Sequence, residues 1–327
     1  MKFSATLFLA LICVQPVRSA LVKVDYEVKD EAGMPVSNVV IETRTQRDYL
    51  VISWTQTIKQ DSYISKTDKD GKASCRFRCH HGDFDALVSA PGYYPEDLSR
   101  LSFGANYDIK LDKVIFPRLE KKVAIRIRKI RNPVDLKLTK GWFIKCPLER
   151  GEYDFDLEVG DWVAPRGKGK EKDLVVCVEA VTNDSIKFMR GKIIFPRGGA
   201  YREKLIPSMY FKSIYTADTN AVYHASFPFE MYNDARHRKK NYCHWPLENE
   251  DYWVFRVREV RDDKGNLLSA NYGKIYGLIR VFDHFYYNKC YFNTTPNDTN
   301  LEEKMPWLQS HYTTSTDTAV KDEADGT

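Results

Sequence analysis

The chain has 327 residues, of which 43% are hydrophobic and 29% charged, with 17 Gly and 14 Pro. This is a globular balance: it excludes wholesale disorder, collagen and low-complexity architectures, and the length suits two or three domains. The formal charge of +5 is small for the size, so no nucleic-acid partner is expected.

The N-terminus has the three parts of a signal peptide. Lys2 is a positive n-region, Phe3 to Val14 is apolar except for Ser4 and Thr6, and Val17 and Ser19 occupy the −3 and −1 positions before Ala20. Residues 1–19 are therefore expected to be cleaved, giving a secreted or periplasmic protein. The apolar run is too short to span a bilayer, and no transmembrane segment is expected after cleavage. Cys13 follows Ile12, where a lipobox needs a small residue, so lipoprotein anchoring through Cys13 is disfavoured. Cleavage removes Lys2 and Arg18 and no acid, leaving 48 Lys and Arg against 45 Asp and Glu, a net +3.

Six cysteines remain: Cys75, Cys79, Cys146, Cys177, Cys243 and Cys290. Export permits disulfides, and the 15 pairings stay open. Cys75 and Cys79 lie four residues apart on one expected strand, so their Cα atoms are roughly 13 Å apart. A bridge tolerates about 7 Å, so each pairs elsewhere or is a small buried hydrophobe.

From residue 21 the apolar period is two. Val22, Val24, Tyr26 and Val28 alternate with charged residues; Ala73, Cys75, Phe77 and Cys79 repeat the pattern, as do Phe84, Ala86, Val88 and Ala90. Turn chemistry separates them at Glu31–Pro35, Asp68–Gly71 and Pro91–Gly92. No apolar spacing is long enough for a helix. Residues 21–113 are expected to form about seven short strands, in an Ig-like antiparallel β-sandwich.

Three phrases carry a family resemblance: Asp30 to Val40 (DEAGMPVSNVV), Thr67 to Ala73 (TDKDGKA) and Val88 to Tyr93 (VSAPGY). Together they resemble the carboxypeptidase regulatory-like domain, a transthyretin-like β-sandwich found in exported bacterial proteins. The resemblance covers roughly the first third of the chain, and Arg44 to Lys66 is a longer insertion than the pattern needs. It implies an accessory or spacer domain, residues 20–116, without catalytic residues.

A second mostly-β domain is expected over residues 117–308, after a short linker near Pro117. Its strand candidates are Val123–Arg128, Leu174–Val181, Ile186–Phe195, Tyr252–Val260 and Gly273–Phe282, the last two flanking a hairpin turn at Arg261–Asn266. The phrases Gly160–Pro165, Gly167–Lys170 and Thr295–Glu302 are similar to an uncharacterised region of exported bacterial proteins. Residues 309–327, Thr- and Asp-rich, are expected to be disordered.

The common nucleotide, zincin and hydrolase-elbow motifs are absent from the sequence, and no cofactor is expected. Asp68-Lys69-Asp70-Gly71 opens like a calcium loop, but its twelfth position is Cys79, which favours a plain turn. Cys79-His80-His81 and His237 with Cys243-His244 lack zinc spacing, and His80 and His81 would face opposite sides of a strand, so no metal is expected. The basic runs Arg166–Lys172 and Arg236–Lys240 read as solvated loops. The sequons at Asn183, Asn293 and Asn297 read as turns.

The candidate ligand-binding residues are Trp142, Trp162, Trp245 and Trp253, with Tyr286, Tyr287, Tyr291 and Phe292 late in the same domain. Exposed, they would stack on sugar rings; buried, they fill a core. The expected function is a non-catalytic binding or structural protein of the bacterial envelope or extracellular space, whose partner is an extracellular glycan or another envelope protein. The rival is a secreted glycan hydrolase using two of Asp154, Asp156, Glu158 and Asp161, which would need carboxyl groups about 5–10 Å apart.

Overall fold

The computed structural model describes residues 19–52, 55–108, 113–146, 149–183, 186–234, 242–282 and 284–305. The expected signal peptide with Cys13, the basic run Arg236–Lys240 with His237, Trp54 and the tail 309–327 lie outside the described residues. The chain divides into two units. One comprises residues up to Lys129 with Ser208–Tyr210, the other Ile130–Pro207 and the residues from Phe211 onward. The fold is all-β, as expected, with no helix among the described residues.

The first unit contains β1 (Ala20–Lys29), β2 (Val40–Ile52), β3 (Thr55–Lys66), β4 (Lys72–Cys79), β5 (Asp83–Ser89), β6 (Glu96–Ser102), β7 (Asn106–Asp108), β8 (Lys113–Ile115) and β9 (Glu120–Arg126). One sheet has the order β4-β1-β9 and another β3-β2-β5-β6, while β7 and β8 pair alone. The period of two does what the sequence implies. Val22, Val24, Tyr26 and Val28 from β1, Cys75, Phe77 and Cys79 from β4, and Phe84, Ala86 and Val88 from β5 meet in one core. A hydrogen bond between the Tyr26 and Thr43 hydroxyls (2.8 Å) satisfies two buried polar groups across that core.

The turns are built from the residues that signalled them. Asp68 Oδ1 accepts from the amides of Asp70 and Lys72 (both 2.9 Å), and Gly71 takes φ +71°, where a Cβ would stand 2.4 Å from the Val28 carbonyl oxygen. Only glycine meets both demands. The insertion Arg44–Lys66 extends a strand pair: β2 and β3 pair antiparallel from Val40–Lys66 out to Ile52–Thr55.

Two sequence expectations are corrected here. The strand that was to open the second domain, β9, instead pairs with β1 and supplies Val123 and Ile125 to the first core. The first unit thus runs to Lys129, past the expected boundary near Pro117. The β1–β9 pair is also parallel, so the sandwich is not purely antiparallel. A short apolar strand after a proline carries no local signal of which sheet it joins.

The second unit contains β10 (Lys137–Lys145), β11 (Gly151–Asp156), β12 (Asp161–Trp162), β13 (Leu174–Asn183), β14 (Ile186–Ile194), β15 (Gly199–Lys204), β16 (Ser226–Asp234), β17 (Tyr242–His244), β18 (Asp251–Arg261), β19 (Leu267–Tyr276), β20 (Arg280–Val281) and β21 (His284–Phe292). One sheet has the order β10-β21-β19-β18-β15, with β20 on β21; the other has β12-β11-β13-β14-β16-β17. Between them lies a core that includes Phe155, Trp162, Leu174, Val176, Ile193 and Phe229 facing Trp253, Phe255, Ile275, Phe285 and Tyr287. The first sheet is covered on its other side too, where Tyr201, Tyr252, Val254, Tyr272 and Tyr276 gather with Ala217 and Leu301. Burial on both faces explains why β18 opens with five consecutive buried residues in place of alternation.

The hairpin turn between β18 and β19 is as expected. Asp262 accepts from the amides of Lys264 and Asn266 (3.0 and 2.7 Å), and Gly265 sits at φ +84°. The expected strand Gly273–Phe282 is broken: β19 ends at Tyr276, Gly277 takes φ +73°, and the chain resumes as β20.

Candidate functional site

That break shapes the described cavity of the second unit, with a volume of about 430 Å³. After Gly277 the chain offers Leu278, Arg280 and Phe282; β21 then offers His284, Tyr286 and Asn288, which alternate with Phe285 and Tyr287 in the core. Trp245 and Asn249 come from the segment after β17, and Met231 from β16. The bridge Leu247–Ile279, in which the Ile279 amide donates to the Leu247 carbonyl (3.2 Å), holds the Trp245 segment against the Arg280 segment.

The lining is aromatic and amide-rich with a cationic side. The Arg280 guanidinium carbon stands 6.0 Å from the Tyr286 ring centre. None of the nine lining residues is Asp or Glu. Cys243 is exposed and pairs in register with Met231 on β16, which places both on one face. Burial pushes the Cys243 thiol up, and the charge of Arg280 pulls against it.

The four candidate tryptophans are not brought together. Trp245 lines the cavity. Trp162 is 4% exposed; it packs edge-on to Phe155 at 5.2 Å and donates from Nε1 to the Lys145 carbonyl (2.9 Å). Trp253 is fully buried, 4.3 Å from the Phe227 ring, and its indole N–H has no partner among the described residues. These two are core residues and present no face to a ligand. Trp142 lies on β10, but its side chain is outside the described residues. Tyr286 lines the cavity, whereas Tyr287 and Phe292 are in the core.

The acidic stretch proposed for hydrolysis is occupied by structural work. Arg258 sits at φ +57°, where the β18–β19 register shifts between Val257 and Val260. Its guanidinium holds Asp173 with two bonds (2.9 and 3.0 Å), Glu158 with one (2.6 Å) and Asp156 at 3.4 Å. A bidentate charge-assisted pair of this kind offsets the left-handed backbone. Asp154 pairs with Lys172 (2.8 Å).

The glycine-rich basic loop Arg166–Lys172 is bound from within. Its amides at Lys170 and Glu171 donate to Asp156 Oδ2 (2.9 and 3.1 Å), and Lys168 donates to Asp161 Oδ2 (2.9 Å). A Cβ on Gly169 would stand 2.7 Å from the Asp156 Cβ, so glycine permits this close wrapping. Amides that would cradle an outside anion are spent on the chain's own carboxylates.

Other motifs resolve locally. Cys79 ends β4, and His80 and His81 lie in the turn that follows, so they do not flank a strand as expected. No group of three or more His, Cys, Asp or Glu is placed to hold a metal ion among the described residues. Asn293 is 2% exposed and its amide nitrogen donates to the carbonyls of Asp298 and Asn300 (3.2 and 3.0 Å), so this sequon is a turn anchor. Asn297 plays the same part toward Ala270 and Leu268.

Sequence reasoning missed Asn249, Arg280, His284 and Asn288 in the cavity. The available signal was the step of two from His284 through Tyr286 to Asn288, with Gly277 breaking the preceding run.

No family model matches the sequence, and no curated protein matches it. Three solved structures show distant likeness. The 3-chlorocatechol 1,2-dioxygenase of Rhodococcus opacus 1CP is 15% identical over 35% of this chain, with a TM-score of 0.23; this chain spans 63% of its length. The major pilin SpaD of Corynebacterium diphtheriae is 11% identical over 83% of this chain and 64% of its own, with a TM-score of 0.24. The major pilin subunit BcpA of Bacillus cereus is 10% identical over 87% of this chain and 100% of its own, with a TM-score of 0.23. None of these likenesses carries an inference about activity.

Proposed function

We propose that the chain is an exported, non-catalytic binding or structural protein of the bacterial envelope or extracellular space, and that the cavity of its second unit holds an extracellular glycan. The observation that carries this reading is the cavity lining: Trp245 and Tyr286 beside the carboxamides of Asn249 and Asn288, with no carboxylate among the described lining residues. Aromatic faces suit the CH faces of sugar rings, and amides suit hydroxyls. The volume falls in the range of small-molecule sites. The signal-peptide pattern of residues 1–19 and the carboxypeptidase regulatory-like phrases support export and an accessory role. A hydrolase would need two carboxyl groups facing a cleft, whereas Asp156 and Glu158 share Arg258 and Asp154 pairs with Lys172.

The test is a glycan array probed with the full mature chain, wild type and Trp245→Ala, followed by chromatography of each bound glycan after prolonged incubation. Binding that is lost in Trp245→Ala, with the glycan recovered intact, supports the proposal. Cleaved products would overturn its non-catalytic part, and binding indifferent to Trp245 would overturn the site.

A further inference from the structure

We infer, building on the reading of this cavity as a glycan site, that the sugar it selects is acidic and that Arg280 takes its carboxylate. Arg190, Arg197, Arg202, Arg256, Arg258 and Arg261 in the same unit each pair with a carboxylate. Arg280 lines the cavity, lies over Tyr286 and has no carboxylate partner among the described residues. His284 lines the same wall two positions before Tyr286. The nine described lining residues therefore include a fixed positive charge and no carboxylate.

Guanidinium presents a planar fork that matches a carboxylate with two parallel hydrogen bonds. A neutral sugar would leave that fork facing only hydroxyls. A sugar ring seated on Trp245, with hydroxyls toward Asn249 and Asn288 and a carboxylate toward Arg280, uses the aromatic, carboxamide and guanidinium groups of the cavity. Uronic acids and sialic acids both have this layout: one carboxylate on a ring that also has an apolar face.

The experiment is calorimetric titration of the full mature chain with three probes: a galacturonate trimer, a glucuronate-containing disaccharide and N-acetylneuraminic acid. Each is paired with its neutral methyl ester. At least one acid should bind tenfold or more tightly than its ester. Arg280→Gln should erase that preference, and Arg280→Lys should restore part of it. Raising the salt concentration should weaken the acid and spare the ester.

A second readout fixes the location without relying on a variant. The acid sugar should slow alkylation of the exposed Cys243 thiol, which shares a face with the cavity-lining Met231. Equal affinity for acid and ester, both lost in Trp245→Ala, would overturn the inference and leave the glycan site standing. Tight binding of an acid with no protection of Cys243 and no response to Arg280→Gln would overturn both. Failure of all three acids where a neutral glycan on the array binds through Trp245 would overturn the inference alone.

Discussion

Lys274 is fully buried and forms its ion pair with Glu303, which is also buried. The ammonium donates in addition to Ser213 Oγ (2.9 Å) and the Leu301 carbonyl (2.6 Å), so each of its three hydrogens has an acceptor. The rings of Phe211, Tyr276 and Tyr291 surround it at 4.7, 5.0 and 5.0 Å. Such a pair costs desolvation on both sides, and it persists because its donors are satisfied. It ties β19 to the segment around Leu301 that covers the outer face of that sheet.

The pair makes a double-mutant prediction. Glu303→Leu or Lys274→Met each strands a buried partner and should lower stability by about 3–5 kcal/mol. Lys274→Met with Glu303→Leu should cost less than the sum of the singles, because neither charge is left alone. Urea unfolding followed by tryptophan fluorescence measures this. Additive losses would show that the two residues act independently.

The first unit should fold as residues 20–129 and fail as residues 20–116. The shorter fragment lacks β9, and with it the parallel partner of β1 and the side chains of Val123 and Ile125. Thermal unfolding with near-UV circular dichroism compares the two. A cooperative transition for 20–116 would mean that β9 is dispensable to the sandwich.

Acid stability should depend on Glu158. Its hydrogen bond from Arg258 outweighs burial and holds its carboxyl below the ordinary value. Burial pushes Asp156 up, but the amides of Lys170, Glu171 and Val159, with Arg258, prevail and hold it low. Both groups therefore stabilise the fold above the unfolded values of about 3.9 for Asp and 4.3 for Glu, and this contribution is lost as pH falls through their folded values. Asp173 runs the other way, because burial raises it beyond what Arg258 offsets. Glu158→Gln should flatten the decline in urea midpoint between about pH 5 and pH 2. An acid limb as steep as the wild type's would remove Glu158 from this account.

The tryptophans should separate into two classes. Trp162→Ala should cost about 3–5 kcal/mol, as for a large core residue. Trp253→Phe should cost less than Trp162→Ala, because it leaves a smaller cavity and the lost indole N–H has no acceptor among the described residues to leave behind. Trp245→Ala should change stability by about 1 kcal/mol or less while removing ligand binding. Chemical denaturation of the three variants checks the ranking.

The alternation of Val22, Val24, Tyr26 and Val28, and the Asp-and-Gly turns at Asp68 and Asp262, made the half-buried strands and their hairpins legible. What stayed hidden was long-range. Nothing near Val123 says that it pairs with Val24's strand, and nothing near Arg258 says that it will meet Asp173. Trp162, Trp245 and Trp253 are the same residue type between similar turns, and only tertiary packing puts two in the core and one at a cavity. The sheet buried on both faces erased the period of two in β18 that would have shown which side of Trp253 is inward.

The most direct measurement of the central claim is a titration of the ¹⁵N-tryptophan-labelled full chain with the glycan selected on the array, read at the indole N–H signals assigned by single substitution. The account predicts that the Trp245 signal moves in proportion to saturation while those of Trp162 and Trp253 stay fixed. Saturable binding that leaves Trp245 unmoved, or that shifts Trp162 or Trp253 as strongly, would contradict it.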